Sequence, residues 1–236
     1  LEGTLKQIKA MGYEGVEFAG WYGRDAETLK ALLDENGLKC AGAHIGIQTL
    51  LGDELEKSVE FHRTLGNTYL IVPGLGREWT ESTEAWRKTA DTFNEISQRL
   101  APHGMVTGYH NHHTEFQPFE DGGELPWDTF FGNTDKSVVM QFDTGNALHG
   151  GSSCKALDFL TRYPGRAQTI HLKDYDIAND SYAPPVGDGD VPFDEIFQVC
   201  ETTGNTDWYI VEYEDPALPS LEGIDRCLQN VRKMGR

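Results

Sequence analysis

The feature that most constrains the fold is a regular alternation of short apolar runs with helix-like stretches. Seven runs read as buried strands, at residues 15–18, 39–44, 68–73, 105–110, 137–143, 167–174 and 208–214. Between them, apolar residues recur three or four positions apart, as on one face of a helix. Such alternation is typical of βα units, which pair strands in parallel through right-handed crossovers. The pattern therefore predicts an α/β protein built on a parallel sheet.

The intervening segments also carry helix start and stop signals. Residues 25–37 and 54–66 each end in a glycine, the usual residue just after a helix. The longest helix is predicted over residues 80–100, with Thr80 as its N-cap. Residues 1–12 form an amphipathic segment before the first predicted strand.

A (β/α)8 TIM barrel of about 250 residues is the simplest fold that accommodates these elements in 236 residues. Because a helix precedes the first of the seven strands, we expect the barrel's first strand to lie upstream of Leu1. An open doubly wound sheet is the alternative. No linker or shift in composition divides the chain, so residues 1–236 are predicted to form a single domain. Residues 177–192 are predicted to form a long βα loop.

Charge narrows the range of partners. The formal net charge is −18, from 38 acidic and 20 basic residues. Nucleic-acid binding depends largely on Lys and Arg neutralising phosphates, so a DNA or RNA partner is disfavoured. There is no apolar run of membrane-spanning length and no leader pattern, which predicts a cytoplasmic protein without a membrane partner. The oligomeric state, including a homo-oligomer, stays open.

Ligand-type side chains gather at the ends of the later predicted strands, where TIM barrels place their chemistry. They are His110 and His112, Asp143, His171 and Lys173, and Glu212 and Glu214. Alternate residues of a strand share a face, so one His, one Asp, a second His and one Glu could converge inside the barrel. Two imidazoles and two carboxylates suit Mn²⁺, Fe²⁺, Co²⁺ or Zn²⁺ and suit Ca²⁺ poorly.

Two shorter motifs have simpler interpretations. The H-N-H triplet at 110–112 lies late in a βα series, whereas HNH nucleases use a ββα-metal fold, so that class is rejected. The G-D-G-D stretch at 187–190 lacks the spacing of an EF-hand loop, and its glycines are predicted to serve a tight turn.

The chain resembles the xylose isomerase-like TIM barrels, and within them the sugar phosphate isomerase/epimerase branch. That branch includes tagatose and psicose 3-epimerases and inosose dehydratase, and its members normally begin with one more strand. The similar motifs follow the family's order over almost the whole chain: G-Y-E-G-V-E-F-A-G-W-Y-G (12–23), G-Y-H-N-H-H-T-E-F (108–116), Q-F-D-T-G-N (141–146), I-H-L-K-D-Y (170–175) and V-G-D-G-D-V-P-F-D-E-I-F (186–197).

The resemblance implies a divalent metal, commonly Mn²⁺, with Zn²⁺, Co²⁺, Fe²⁺ and Mg²⁺ as alternatives. Asp143, His171 and Glu212 match the family's ligands, and His110 stands where the epimerases have a glutamate. Those epimerases use that glutamate and the last one as a proton-transfer pair. With His110 in its place, we expect His112 or Glu115 to supply a base, or the reaction to be an elimination.

The function predicted on this basis is a metal-dependent sugar isomerase/epimerase that abstracts a proton next to the carbonyl of a keto-sugar or keto-polyol. The alternative is a dehydratase or lyase that carries out β-elimination on a keto-sugar, keto-inositol or 3-keto-glycoside. Ranked lower are an endonuclease IV-like phosphodiesterase and a non-catalytic sugar-binding barrel. Glu212 is the predicted base, and Lys173 is predicted to stabilise oxyanion charge.

Substrate contacts are predicted from the first strands and the loop after them. Glu17 and His44 could hydrogen-bond sugar hydroxyls, Trp21 could form an apolar wall, and Lys173 could contact the substrate as well as act in catalysis. No cluster of Arg and Lys marks a phosphate pocket, which favours an unphosphorylated carbohydrate.

Overall fold

The fold is a barrel of parallel strands surrounded by helices, as the sequence predicts. The structure is a computed structural model that describes residues 1–119, 123–150, 156–214 and 218–236. All neighbouring strands pair in parallel, in a single sheet of order β1 to β7. The strands are β1 (Gly15–Phe18), β2 (Lys39–His44), β3 (Tyr69–Val72), β4 (Val106–His110), β5 (Val139–Asp143), β6 (Thr169–Leu172) and β7 (Trp208–Val211).

Ten α-helical segments connect or flank these strands in the described ranges. Two of the predicted helix ends are confirmed, because Gly37 and Gly66 adopt left-handed conformations (φ 62° and 78°) just after α2 and α3. The helices are α1 (Glu2–Met11), α2 (Ala26–Asn36), α3 (Glu54–Leu65), α4 (Arg77–Thr80), α5 (Thr83–Leu100), α6 (Pro126–Asn133), α7 (Thr144–Gly150), α8 (Ala156–Thr161), α9 (Phe193–Val199) and α10 (Ser220–Lys233). No helix in these ranges is both long and apolar enough to cross a bilayer.

The predicted start of the longest helix is wrong by three residues. Thr80 does not cap this helix but ends the separate short helix α4. Ser82 is the N-cap of α5, since it is extended (φ −158°) and its hydroxyl accepts a hydrogen bond from the Ala85 amide at 3.1 Å. A hydroxyl in this position satisfies an amide that has no partner within the helix.

Strand β5 shows how the alternation separates the core from the site. Met140 and Phe142 are fully buried, and Phe142 packs against Phe116 and Trp127. The intervening residues, Gln141 and Asp143, point into the barrel interior, where they meet polar groups of other strands. Apolar side chains thus face the helices, while polar side chains are concentrated inside the barrel.

The sheet has two edges, β1 and β7, which face each other across a groove of about 650 Å³. Gly15 of β1 lies against the Trp208 ring of β7, with 3.1 Å between that ring and the position that a Cβ would occupy. Tyr13 donates a hydrogen bond to the Ile224 carbonyl of α10 at 2.8 Å. Contacts on either side of the groove therefore hold the two edges close together.

Candidate metal centre and active site

Four predicted ligands converge where strands β4 to β7 end. His110, Asp143, His171 and Glu212 each offer one donor atom, and these four atoms lie within 4.8 Å of one another. The strand register explains the convergence, because Asp143 pairs with His171 and His171 pairs with Ile210, two residues before Glu212. Glu212 directly follows β7, which is one point of difference from the predicted strand at 208–214.

The donor set fits a transition-metal ion. Asp143 is fully buried; its Oδ1 accepts a hydrogen bond from the Asn146 amide at 2.7 Å, while its Oδ2 has no partner among the described residues. An unpaired buried carboxylate oxygen is costly unless a cation or a donor meets it. Burial and the nearby Glu212 raise the pKa of Asp143 to about 7. Two nitrogen and two oxygen donors are a set that Mn²⁺ and Zn²⁺ accept.

The two histidines of the cluster differ in their electrostatics. Burial and the neighbouring His171 hold the pKa of His110 well below its ordinary value, so His110 is neutral, as a metal ligand must be. Burial opposes the protonation of His171 too, but Glu17 and Glu212 outweigh it and raise its pKa to about 10. His171 Nδ1 lies 2.5 Å from Glu212 Oε2, and His171 Nε2 lies 2.6 Å from Glu17 Oε2.

Glu212 is held as a carboxylate by its neighbours. Burial opposes its ionisation, but the hydrogen bond and charge of His171 and the charge of Lys173 keep the pKa of Glu212 well below its usual range. Lys173 Nζ donates to Glu212 Oε1 at 2.9 Å and to Glu214 Oε2 at 2.6 Å. Burial disfavours the Lys173 charge, yet Asp143 and Glu212 raise the pKa of Lys173 above its ordinary value. The site thus contains a carboxylate and an ammonium group in contact.

Glu17 and His44 lie inside the same barrel mouth, on strands β1 and β2. Glu17 accepts hydrogen bonds from His171 and from Gln141, and its side chain is 6% exposed. His44 Nε2 lies 2.6 Å from Gln141 Oε1 and 3.1 Å from Glu17 Oε2. Their polar atoms contact other protein groups in the structure, and the predicted contact of both residues with substrate stays a prediction.

Glu115 and His112 lie outside the four-donor cluster, in the loop after β4. Glu115 is buried; its Oε1 accepts from the Tyr109 hydroxyl at 2.8 Å and its Oε2 accepts from the His112 amide at 2.7 Å. These bonds fasten the loop after β4, and the role of Glu115 as a base stays a prediction. The His112 side chain is exposed, with its ring 5.3 Å from that of His110, and its role stays a prediction.

The Trp21 ring packs against helix α3. Its ring lies 4.5 Å from that of Phe61 and 5.4 Å from that of His62, both on α3, measured between centroids. A tryptophan packed against a helix in this way stabilises the loop after β1. The predicted role of Trp21 as a wall for the substrate remains a prediction.

Residues outside the predicted site also shape its mouth. The Asp174 carboxylate accepts hydrogen bonds from the amides of Gly187, Gly189 and Val191, at 2.8–3.1 Å, and thereby folds the predicted long loop back onto β6. The same loop places the Tyr182 ring 4.8 Å from Lys173 Nζ. Such contacts between distant segments leave no periodic signal in a sequence.

Comparisons with known proteins agree with the barrel fold. The family model described as xylose isomerase-like TIM barrel matches residues 5–233. An inosose dehydratase of Erwinia tasmaniensis is 28% identical over 251 aligned residues, which cover 90% of this chain and 82% of that protein.

Solved structures share the fold. A sugar phosphate isomerase/epimerase from Parabacteroides distasonis superposes with a TM-score of 0.84 at 22% identity, over 98% of this chain and 87% of that one. IOLI protein, solved with a bound zinc atom, gives a TM-score of 0.74 at 17% identity, over 99% of this chain and 92% of that one. Because the family model spans nearly all of the chain, the protein belongs to the xylose isomerase-like TIM barrel family.

Proposed function

We propose that the protein is a divalent-metal-dependent dehydratase or lyase acting on a keto-inositol or a related keto-sugar. The observation that carries the proposal is the contact between the Glu212 carboxylate and the Lys173 ammonium beside the four-donor cluster. The similarity to inosose dehydratases over about nine-tenths of the chain supports the same reaction class. Mn²⁺ and Zn²⁺ are the metals we propose, held by His110, Asp143, His171 and Glu212. When bound, such an ion would act as a Lewis acid on the substrate carbonyl.

Glu212 and Lys173 divide the proton transfers of an elimination between them. Glu212 takes the proton from the carbon next to the carbonyl, and the electron pair of that C–H bond forms the new C=C bond. The C–O bond to the β-oxygen breaks, and Lys173 gives that oxygen a proton so that it leaves as water, or as an alcohol from a glycoside. Protonation of Glu212 removes one of the carboxylates that retain the proton on Lys173, which makes Lys173 a better acid at that moment.

The same chemistry explains why elimination is favoured over epimerisation. Epimerisation requires a second acid–base group on the opposite face of the substrate, which the family's epimerases supply with a glutamate. Here that position is His110, whose Nδ1 bonds to Gln141 and which belongs to the candidate metal cluster. The isomerase/epimerase interpretation shares the first step, proton abstraction, and differs in the fate of the intermediate.

The direct test is to incubate the metal-loaded protein in D₂O with a panel of keto-inositols, 3-keto-glycosides and unphosphorylated keto-sugars. We expect growth of ultraviolet absorbance from a conjugated enone, with loss of water or alcohol detected by mass spectrometry. Deuterium incorporation with an epimerised or isomerised product and no elimination would instead establish the isomerase/epimerase. If neither deuterium nor a new product appears across the panel, proton abstraction next to a carbonyl is refuted.

A further inference from the structure

We propose that Glu17 is a positioning residue of the candidate metal centre, which determines the ring nitrogens that His171 and His110 present to the cation. Glu17 lies on β1, across the barrel from the strands that supply the four donors. The inference rests on the proposed metal-dependent function, and it assigns to Glu17 a role different from the predicted contact with substrate.

Glu17 contacts one of the two ring nitrogens of His171. Glu17 Oε2 lies 2.6 Å from His171 Nε2, and the two side chains are only 6% and 5% exposed. A carboxylate oxygen accepts hydrogen bonds, so this contact holds the hydrogen of the ring on Nε2. The other nitrogen, Nδ1, also faces a carboxylate, Glu212 Oε2 at 2.5 Å, so without a cation both ring nitrogens carry a hydrogen. Because Glu212 belongs to the four-donor cluster and Glu17 does not, a cation bound there would replace the hydrogen on Nδ1 and leave the one on Nε2. His171 is therefore oriented to bind a cation through Nδ1.

Glu17 is also linked to His110, through the side-chain amide of Gln141. Gln141 Nε2 lies 2.8 Å from Glu17 Oε1, which orients the amide so that its nitrogen faces the carboxylate. Gln141 Oε1 then faces the histidines, 3.1 Å from His110 Nδ1 and 2.6 Å from His44 Nε2. An amide oxygen only accepts, so the single hydrogen of the neutral His110 ring is on Nδ1. The Nε2 atom therefore has a lone pair with which it can bind a cation. One carboxylate thus fixes opposite tautomers on the two histidines.

The backbone around Glu17 makes room for this arrangement. The register between β1 and β2 shifts between Val16 and Glu17, which pairs Glu17 with Gly42. A Cβ at Gly42 would lie 2.4 Å from Glu17 Oε1, closer than such atoms approach. Irregularities of this kind re-aim side chains next to active sites. Histidine ligands commonly donate their second N–H to a carboxylate, which fixes the tautomer and the ring orientation.

The test is long-range ¹H–¹⁵N NMR of histidine-labelled protein loaded with Zn²⁺, with His110 and His171 assigned by substituting each in turn. We expect His171 to be metallated at Nδ1 and protonated at Nε2, and His110 to show the reverse pattern. The same nitrogen metallated in both rings, or Nε2 metallated in His171, would overturn the proposal.

Variants supply a second readout. We expect Glu17→Gln to weaken Zn²⁺ binding by about 10- to 100-fold, measured by chelator competition. The matched control is Glu14→Gln, an exposed residue just before β1, which should leave the affinity unchanged. Unchanged Zn²⁺ affinity in Glu17→Gln refutes only the positioning role of Glu17. Absence of Zn²⁺ binding by the unmutated protein refutes the proposed metal-dependent function. If Glu17→Gln fails to fold, the NMR pattern of the unmutated protein still decides.

Discussion

The two sides of the barrel mouth contain similar residue types in opposite states. On the side of β4 to β7, Asp143 has a carboxylate oxygen without a partner in the described structure. Glu212 on the same side is bonded to His171 and Lys173 but is 23% exposed, so it is accessible to a ligand. On the side of β1 and β2, Glu17 is 6% exposed and both of its oxygens accept hydrogen bonds. Ionisable groups with unmet bonding capacity are available to ligands, whereas satisfied groups orient their neighbours. This difference supports the proposal that the side of β4 to β7 performs the chemistry and the side of β1 and β2 positions it.

The difference also concerns how each side tolerates burial of charge. Glu17 remains ionised despite burial because His171 and His44 lower its pKa. For Asp143, burial and the charge of Glu212 outweigh the opposing effects of Lys173 and His171, and its pKa is raised to about 7. A buried network whose members are all bonded is rigid, whereas an incompletely compensated carboxylate gains most from a bound cation.

The largest effect is expected from Glu212→Gln, on the side that performs the chemistry. This change keeps the shape of the side chain but removes the base and an anionic donor of the cluster, so kcat should fall by about 10³-fold. Steady-state assays with metal in excess measure this. Glu214→Gln is the matched control, since Glu214 also bonds Lys173 but is 63% exposed. We expect this variant to lower kcat by less than about tenfold. Equal losses in the two variants would contradict the assignment of Glu212 as the base.

A smaller loss is expected from Lys173→Met, which retains the length of the side chain without its charge. We expect kcat to fall by about 10²-fold, because the departing oxygen loses its proton donor. Lys136→Met, at an exposed position before β5, is the control and should leave kcat unchanged. An increase in KM with kcat unchanged would mean that Lys173 only binds substrate, and would remove it from the chemistry.

The smallest effect is expected on the positioning side, from Gly42→Ala. The added methyl group would displace the Glu17 carboxylate, so we expect Zn²⁺ affinity to fall by about tenfold, at the lower end of the effect of losing an outer-shell partner. Chelator competition and thermal unfolding of the metal-free protein measure affinity and stability separately. Gly3→Ala is the control, because a Cβ there meets nothing within 4 Å on the surface of α1. Unchanged affinity in Gly42→Ala would show that Glu17 adapts without consequence for the cluster.

Much of the fold, and the four-donor side of the barrel mouth, follow from local sequence rules. The seven strands were predicted to within a few residues, because buried parallel strands are nearly continuous apolar runs. The convergence of His110, Asp143, His171 and Glu212 follows from two regularities: the period of two in strands and the common end at which parallel strands terminate. Neither regularity requires knowledge of how the sheet curves.

The remaining features depend on distances that periodicity does not contain. Glu115 could not be recognised as a loop fastener, because its partners are the hydroxyl of Tyr109 and a backbone amide. The cap of α5 was misassigned since Thr80 and Ser82 are chemically equivalent candidates, and only the backbone conformation distinguishes them. Tyr182 approaches Lys173 only because Asp174 folds the intervening loop back on itself.

The sequence by itself determined that strands and helices alternate, that polar groups collect at one end of the strands, and that their types suit a divalent metal. Only the tertiary structure decided that Glu17 contacts His171, 154 residues away. It also decided that Gln141 bonds to both Glu17 and His110 and so links the two. The physical reason is that alternation fixes the direction in which a side chain points. A hydrogen bond, by contrast, requires two groups within about 3 Å, and that distance depends on the curvature of the sheet, the register shift between β1 and β2 and the space left by Gly42.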